Sequence, residues 1–472
     1  MNIAKRNAFT GIPVINTPGV LGQTTGQQFL YRIPVTGERP LSVSIEGLPS
    51  GLSCIGGILS GSVDRDCRVS LTVIAENACG RTEKKLELTV APDTVQLTPL
   101  MGFTTWNAFR TGFNQEKMIE TAEDLISSGI ADYGYGYVNV DSGWQDTYGG
   151  EYNAIVPNSR FPDMKGMCDA LHALGFRAGI YSTPMLTAWG CPPELSSIPG
   201  CTVGDPDPAF PDTENGGIGL IRLEKENVRQ WCAWGFDYLK YDWNPTDGHN
   251  AHLMKKELLE SGRTFTYCNT VHARPEDAEI FAKEVNSWRD NTDSRPNWDN
   301  IKARLATVFR WKDYVSPGHF YDLDMLAIGK CHKNKDGNLM TPDEEVFAYT
   351  MRAFFCSPIQ LSTEIGLLTD FELDMLCNEE IIAINQDSLA DYPQCISGGI
   401  DDDYIVFRRN LENGDAAVCV FTLDCDTAAV SLPLESPCLI RDVWQKQDLG
   451  KSDSIEIKAE PHSAYVFRLK KA

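Results

Sequence analysis

From residue 101 to about residue 390, short apolar segments alternate with amphipathic segments of helical period, and this pattern constrains the fold more than any other feature. Strands that alternate with helices are typical of a parallel sheet built from βαβ units. Eight such units predict a (β/α)₈ barrel. The eight candidate strands lie at residues 101–106, 137–141, 176–181, 234–242, 264–268, 284–289, 319–322 and 358–362.

Helices are predicted between these strands, for example at residues 115–128, 297–312 and 341–355. The last of these begins with Thr341-Pro-Asp-Glu344. A threonine followed three residues later by glutamate is a capping box, and proline is favoured at the first helical position. The sequence therefore predicts the start of this helix to within a residue or two.

Two regions without helices flank the predicted barrel. Short alternating runs at residues 29–33, 41–45, 69–73 and 85–90 are separated by glycine, proline and asparagine turns. Similar runs return at residues 404–408, 416–422, 438–443 and 464–469. Regular short strands of this kind predict β-sandwiches. We therefore expect an N-terminal β-sandwich at residues 1–95, the barrel at residues 96–390 and a second, antiparallel β-sandwich at residues 391–472.

Composition excludes several classes of partner. Lysine and arginine number 42 against 65 aspartates and glutamates, so the net charge is 42 − 65 = −23. Such a surface repels nucleic acids and anionic lipids. The sequence contains no run of about 18 apolar residues, so no membrane span is expected. The N-terminal MNIAKRN lacks the apolar region of a signal peptide.

The 15 cysteines are an odd number without CxxC pairs, which argues against a zinc ribbon. Cys191 and Cys201 flank a loop rich in proline and glycine and could be bridged. For most of the others, a free buried thiol is the expected state.

In a (β/α)₈ barrel the functional site lies at the carboxyl ends of the strands. A long loop at residues 182–223, carrying Trp189, follows the third strand and is predicted to cover this end. The predicted strand ends supply Trp106, Asp141, Tyr181, Asp242, Arg289 and Asp322.

The fourth strand ends with two opposite charges. Lys240 and Asp242 are two residues apart and therefore share one face of the strand. Burying these groups is costly unless each offsets the charge of the other or a ligand completes the arrangement. A structural ion pair at the barrel rim and a catalytic carboxylate are both consistent with this pattern.

Seven motifs, in order along the chain, resemble those of glycoside hydrolase family 27, which contains α-galactosidases and α-N-acetylgalactosaminidases. They are MGFTTWN at 101–107, YVNVD at 137–141 with Trp144, FRAGIY at 176–181, YLKYD at 238–242, WRDNTD at 288–293, DLDM at 322–325 and AINQD at 383–387. The resemblance covers residues 101–472. It implies a retaining exo-glycosidase that removes terminal α-linked galactose-type sugars from an oligosaccharide or polysaccharide, without a metal or other cofactor.

The N-terminal region resembles the immunoglobulin-like modules of many secreted bacterial carbohydrate enzymes. This second resemblance is carried by residues 48–54 (LPSGLSC) and 57–61 (GILSG). It implies a periplasmic or secreted bacterial location and a spacer role for the module, with glycan binding as the alternative. The oligomeric state is left open.

Position by position, the resemblance implies that Asp242 is the nucleophile and Asp293 the general acid/base. A retaining glycosidase needs two carboxyl groups about 5 Å apart, one ionised to attack and one protonated to donate. Lys240 would favour the ionised form of Asp242 by its charge, and Arg289 would contact the sugar. Without the resemblance, Asp293 would be interpreted as an ordinary loop acid.

The resemblance also assigns the rest of the pocket. Trp106 would form an apolar wall for the sugar, Asp141 would bind its hydroxyl groups, and Tyr181 and Asp324 would complete the pocket. The alternatives are that Trp106 and Tyr181 are core aromatics and that Asp324 caps a helix.

Several departures from the family pattern bear on the substrate. Ser142 stands where the family usually has a second aspartate, and Thr270 stands where α-galactosidases often place a glutamate. With Ala273, Thr270 resembles the N-acetylgalactosaminidase branch, whose pocket admits a 2-acetamido group. Gly143 and Asn244 replace cysteines that form disulfides in the family. Loss of a sugar hydrogen bond can change preference by 10²-fold or more.

We therefore expect an α-galactosidase first. An α-N-acetylgalactosaminidase, a β-L-arabinopyranosidase and an α-glucan hydrolase are the alternatives within the family. A carbohydrate-binding protein on an inactive barrel is the alternative outside enzymes, because Ser142 and Thr270 have lost sugar contacts.

Overall fold

The structure is a computed structural model, and it describes residues 2–184, 222–242, 247–270, 273–332, 340–424 and 427–471. Most of the predicted loop at residues 182–223, with Trp189, Cys191 and Cys201, lies outside the described residues, as does Asn244. Twelve cysteines are described, and seven of them are buried.

The N-terminal region forms two facing sheets, in the orders β2-β9-β8-β5 and β3-β7-β6, and a small β1-β4 pair. Alternation along β9 points Leu86, Leu88 and Val90 inward, where they meet Leu59 of the second sheet. The predicted β-sandwich is present; its immunoglobulin-like type stays a prediction. The strands are β1 Val14–Ile15, β2 Val20–Thr24, β3 Phe29–Arg32, β4 Val35–Thr36, β5 Ser42–Glu46, β6 Leu52–Ile55, β7 Ile58–Gly61, β8 Cys67–Asn77 and β9 Gly80–Ala91.

All eight predicted barrel strands are present and pair in parallel in the expected order. The barrel closes where a bridge joins Leu326, beyond the seventh strand, to Leu361 of the eighth. The strands are β10 Met101–Thr104, β11 Tyr137–Asn139, β14 Arg177–Ser182, β15 Tyr238–Tyr241, β16 Thr266–Asn269, β17 Ser287–Trp288, β18 Phe320–Tyr321 and β19 Ile359–Leu361, with a hairpin of β12 Gln145–Gly149 and β13 Ala154–Pro157 after β11.

The helices surround the barrel and follow the predicted order. The capping box is formed, since the Glu344 N–H donates to Thr341 Oγ1 (3.3 Å) and the Thr341 N–H donates to Glu344 Oε2 (2.8 Å). The described helices are α1 Trp106–Phe109, α2 Gln115–Ser127, α3 Met164–Ala173, α4 Glu224–Trp234, α5 Gly248–Glu260, α6 Ala278–Glu284, α7 Trp298–Leu305, α8 Pro342–Phe354, α9 Asp370–Leu376 and α10 Glu379–Asn385.

Helix α7 is shorter than predicted. The prediction extended it to residue 312, whereas the chain leaves the helix after Leu305 and continues as tight turns. These turns place the fully buried Trp311 against Trp288 at the end of β17, with ring centroids 5.9 Å apart. Packing of two large aromatic side chains therefore overrides helical periodicity here.

The C-terminal region is an antiparallel sheet in the order β20-β21-β22-β25-β23-β24. Along β21 and β22, Phe407 and Phe421 pack on the barrel helices, whereas Val406 and Val420 form a second core with β23 and β24. The sheet thus folds over itself as a sandwich. Its strands are β20 Gln394–Gly398, β21 Tyr404–Asn410, β22 Ala416–Thr422, β23 Ala428–Asp442, β24 Gln447–Ala459 and β25 Ala464–Lys471.

Within the described residues, none of the helices is both long and apolar enough to cross a bilayer.

The N-terminal module contacts the barrel at the end opposite the carboxyl ends of the strands. Asp132, which precedes β11, is buried and pairs with Arg32 (3.4 Å) and with Arg39 of the module. Arg177, at the start of β14, donates from Nε to the Leu30 carbonyl (2.7 Å). Burial raises the pKa of Asp132 although both arginines oppose the rise. Ion pairs and a hydrogen bond therefore attach the N-terminal module to the barrel at the amino ends of its strands.

Asp132→Ala tests this attachment. The change leaves two partly exposed arginines without their carboxylate, so we expect the free energy of unfolding to fall by about 2 kcal/mol, below the cost of breaking a fully buried pair. Urea unfolding followed by tryptophan fluorescence measures the change. Arg81→Ala, which removes an exposed pair with Glu83, is the matched control and is expected to change the stability much less, because solvent screens the pair. Equal losses in both variants would contradict a specific role for Asp132.

Candidate active site

The carboxyl ends of the barrel strands bring most of the predicted site residues together. Parallel register pairs Lys240 with Tyr181 on one side and with Cys268 on the other. Because β15 and β16 run in register, Asp242 and Thr270, each one residue beyond its strand, lie side by side. Trp106, Asp141, Arg289, Asp293 and Asp324 follow β10, β11, β17 and β18 at the same end.

Arg289 lies between the two predicted catalytic carboxylates. Its side chain is fully buried, with Nη2 3.0 Å from Asp293 Oδ1 and 4.0 Å from Asp242 Oδ1. Burial disfavours the charge, but the surrounding carboxylates, chiefly Asp324 and Asp293, hold the pKa of Arg289 above its usual value. A permanently charged guanidinium therefore links Asp242 and Asp293.

The two carboxylates differ in environment. The Asp293 side chain is 33% exposed and accepts a hydrogen bond from Trp106 Nε1 (2.7 Å). The Asp242 side chain is 13% exposed and accepts a hydrogen bond from the Thr270 hydroxyl. Asp242 therefore lies deeper, and Asp293 lies nearer to solvent.

The hydrogen bond of Lys240 goes to a carboxylate other than Asp242. Lys240 Nζ instead reaches the loop after β11 and donates to Asp141 Oδ2 (2.7 Å), with both side chains buried. Burial alone would lower the pKa of Lys240, but the charges of Asp141 and then Asp242 raise it. Lys240 thus acts on Asp242 only through its charge, because its hydrogen bond goes to Asp141.

Asp141 is held by more than its ion pair. Its carboxylate accepts hydrogen bonds from the Thr104 hydroxyl (3.3 Å) and the Ser142 N–H (2.7 Å), and its own N–H donates to Thr105 Oγ1 (3.0 Å). Burial raises the pKa of Asp141, and Lys240 opposes this rise. Ser142 is itself buried, and its backbone helps to fix Asp141.

Tyr181 lies beneath the carboxylates. Its side chain is buried, and its ring centroid is 5.6 Å from Lys240 Nζ. Burial, followed by the charges of Asp242 and Asp141, raises the pKa of Tyr181 well above its usual value. The phenol therefore stays neutral beside the charged groups, and Tyr181 belongs to the site rather than to the remote core.

Asp324 lies behind Arg289. Its carboxylate is 3.5 Å from Arg289 Nε and 3.7 Å from Arg304 Nη2, and it accepts the Ser294 N–H. Although burial opposes it, these two arginines lower the pKa of Asp324. Asp322 is buried nearby, and burial together with the charge of Asp324 raises its pKa to about 6, although the Arg289 charge opposes this rise.

Sequence reasoning missed three residues that support the site. Thr104 and Thr105 hold Asp141, and their position inside the MGFTTWN motif was a signal that could have found them. Arg304, on α7, is buried against Asp324. An arginine in an amphipathic helix gives no sequence signal of burial, so Arg304 could be found only in the structure.

Comparisons with known proteins identify the family of the chain. The sequence family described as alpha galactosidase A matches residues 213–387, and its C-terminal beta sandwich domain matches residues 401–469. The chain belongs to glycoside hydrolase family 27. Alpha-galactosidase 3 of Arabidopsis thaliana is 29% identical over 391 residues, which cover 79% of this chain and 82% of that protein.

Two solved structures extend the comparison. A candidate α-galactosidase/melibiase of Bacteroides fragilis is 26% identical, with a TM-score of 0.85, and the match covers 98% of this chain and 99% of that one. A family 27 β-L-arabinopyranosidase of Geobacillus stearothermophilus shares the fold at 21% identity, with a TM-score of 0.69 over 80% of this chain and 98% of that one. The Bacteroides likeness therefore includes the N-terminal module.

Lys240→Met tests the Lys240–Asp141 pair in this glycoside hydrolase. Without the ammonium, the already raised pKa of Asp141 rises further, so its carboxylate ionises only at higher pH. We expect kcat/KM to fall about 10²-fold or more and the acidic limb of its pH profile to move to higher pH.

Lys255→Met is the matched control, because Lys255 is equally buried and pairs with Asp93 (2.6 Å) on the far side of the barrel. That variant is expected to keep the wild-type pH profile. An unshifted acidic limb in Lys240→Met would show that Asp141 does not depend on Lys240.

Proposed function

We propose that this family 27 protein is a retaining exo-α-galactosidase that removes terminal α-linked galactose from oligosaccharides or polysaccharides. One observation carries the proposal. Asp242 and Asp293, from neighbouring parts of the barrel end, are linked by the single buried Arg289. Similar proteins of plants and bacteria are named alpha-galactosidases, which supports the substrate class.

In the proposed first step, Asp242 attacks the anomeric carbon while Asp293 donates a proton to the leaving oxygen, which gives a covalent glycosyl-enzyme. In the second step, Asp293 removes a proton from water, and the water displaces Asp242 with net retention. The environments support these roles. The Thr270 hydroxyl donates a hydrogen bond to Asp242, and the Arg289 guanidinium lies 4.0 Å from it. Asp293 is exposed enough to reach a leaving group and then water.

The other contacts fit a sugar pocket. Asp141, held by Lys240, offers an ionised acceptor for sugar hydroxyl groups. Lys240 retains further N–H donors beyond its bond to Asp141. Trp106, fixed by its bond to Asp293, supplies an apolar wall, and Tyr181 closes the pocket beneath. Asp324 acts on the site through Arg289.

Separate variants test the two carboxylates. Asp242→Ala removes the nucleophile, and we expect turnover of 4-nitrophenyl α-galactoside to fall at least about 10⁴-fold. Asp293→Ala is expected to slow substrates with poor leaving groups by about 10²- to 10⁴-fold and dinitrophenyl galactosides much less, because only poor leaving groups need the proton.

Asp299→Asn is the matched control, since Asp299 is an exposed carboxylate six residues beyond Asp293. NMR of the first-formed product should show α-galactose. First-formed β-galactose, or unchanged turnover in Asp242→Ala, would refute the retaining mechanism.

The sugar is tested by a panel of aryl glycosides. We expect kcat/KM for the α-galactoside to exceed that for the α-N-acetylgalactosaminide, the β-L-arabinopyranoside and the α-glucoside by at least about tenfold. Thr270 is the residue that bears most directly on the choice of sugar. Its hydroxyl donates a hydrogen bond to Asp242, and its small side chain leaves room beside the proposed nucleophile. A higher value for the N-acetylgalactosaminide would favour that alternative instead. Absence of hydrolysis across the panel, with sugar binding retained, would favour a carbohydrate-binding protein.

We also propose the domain division at residues 95/96 and 390/391. It is supported by the end of β9 at Ala91, the start of β10 at Met101 and the gap between α10 and β20. A periplasmic or secreted location is part of the same proposal and is supported by the resemblance of the N-terminal module to those of secreted bacterial enzymes.

A further inference from the structure

Arg110 is a cation near the proposed acid/base, and the proposed mechanism gives it no role. It follows α1, and its guanidinium carbon is 4.1 Å from the centroid of the Trp106 ring. The edge of the same ring donates its N–H to Asp293 Oδ2 at 2.7 Å. The guanidinium and the proposed acid/base are therefore separated by little more than one indole ring.

The donors of Arg110 are unused. Across the part of the chain that the structure describes, its side chain makes the cation–π contact with Trp106 and takes part in no hydrogen bond or ion pair. Other arginines at this end are occupied: Arg289 binds carboxylates, and Arg160 donates to the Thr111 and Gly143 carbonyls. A guanidinium has five N–H donors in a planar fork that matches carboxylate and sulfate groups.

The backbone of Arg110 is strained. Arg110 has φ 53° and ψ −127°, a conformation that residues with a Cβ rarely adopt. The surrounding hydrogen bonds enforce it: the Arg110 N–H donates to the Trp106 carbonyl (2.9 Å), the Gly112 N–H donates to the Phe109 carbonyl (3.0 Å), and Arg160 holds the Thr111 carbonyl. Strained residues that the structure over-determines concentrate at functional sites.

We propose that Arg110 is a specificity residue of the leaving-group subsite, and that the enzyme prefers α-galactosides whose leaving group carries a carboxylate or sulfate. The inference rests on the proposed function, because the leaving oxygen must approach Asp293 to receive its proton. A leaving group on that side lies near Trp106, whose ring face carries the Arg110 guanidinium. In a protein of net charge −23, an anionic leaving group needs such a local cation to approach.

The test compares two phenyl α-galactosides that differ only in a meta substituent, a carboxylate in one and its methyl amide in the other. We expect wild-type kcat/KM to favour the carboxylate by about tenfold, as for a partly exposed charge-assisted hydrogen bond. Arg110→Met should reduce this ratio to near one. Raising the ionic strength should weaken the wild-type preference as well. A third substrate with a meta sulfate shows which anion fits the fork better.

Lys117→Gln is the matched control. Lys117 places its ammonium 5.4 Å from the neighbouring Phe109 ring, but it already pairs with Glu120. Removing this cation from the same rim should leave the substrate ratio at the wild-type value. Arg110→Lys keeps the charge without the planar fork and should keep part of the preference. Arg110→Gly is compatible with the backbone conformation at this position, so it replaces Arg110→Met in the test if that variant does not fold.

The outcomes separate this inference from the proposed function. Hydrolysis of both substrates with a ratio that Arg110→Met and Arg110→Gly leave unchanged would overturn the role of Arg110 alone. A wild-type preference for the neutral amide would overturn it as well. Failure to hydrolyse either galactoside would overturn the proposed function and, with it, this inference.

Discussion

The site depends on one electrostatic arrangement, the charge of Arg289 at the centre of four carboxylates. Its Nη2 serves Asp293 and Asp242, its Nε faces Asp324, and Asp322 contributes at longer range. Each carboxylate alone would be costly to bury, and so would the arginine. Together they offset one another, so the barrel can keep ionised groups in a largely buried space. This is the condition that nucleophilic attack by a carboxylate requires.

Lys240 and Asp141 form a second, neighbouring pair with a different purpose. Their bond joins β15 to the loop after β11, across the intervening β14. The two Thr104 and Thr105 hydroxyls then connect Asp141 to the end of β10. Groups at the carboxyl ends of three strands, β10, β11 and β15, are thereby joined across β14, so the barrel sets the positions of the proposed sugar-binding groups. Preorganised polar groups of this kind are what transition-state stabilisation needs.

Sequence patterns predicted the architecture well because it follows from local periodicity. The eight strands, the flanking sandwiches and the capped α8 all follow from apolar alternation, helical period and turn residues. The hydrogen-bond partners of charged side chains inside the barrel were harder to predict. Spacing on one strand allowed a Lys240–Asp242 ion pair, but a long side chain in a barrel can reach past the adjacent strand, and Asp141 in the loop after β11 accepts the bond instead. Arg304 and the turns after α7 likewise depend on packing between distant segments, which no local pattern records.

The loops after β10 and β11 are held together by hydrogen bonds. Gly143 stands at a position where the family has a cysteine, and a Cβ there would lie 3.1 Å from Thr111. The two loops are thus in contact, and Arg160 holds both of them by donating to the Thr111 and Gly143 carbonyls, with Asn158 Nδ2 adding a bond to Gly143 (2.8 Å). Hydrogen bonds from one arginine keep the loops in register without depending on an oxidising environment. The same contact fixes the backbone next to Arg110, so the anchoring of the loops and the placement of the free cation have a common structural cause.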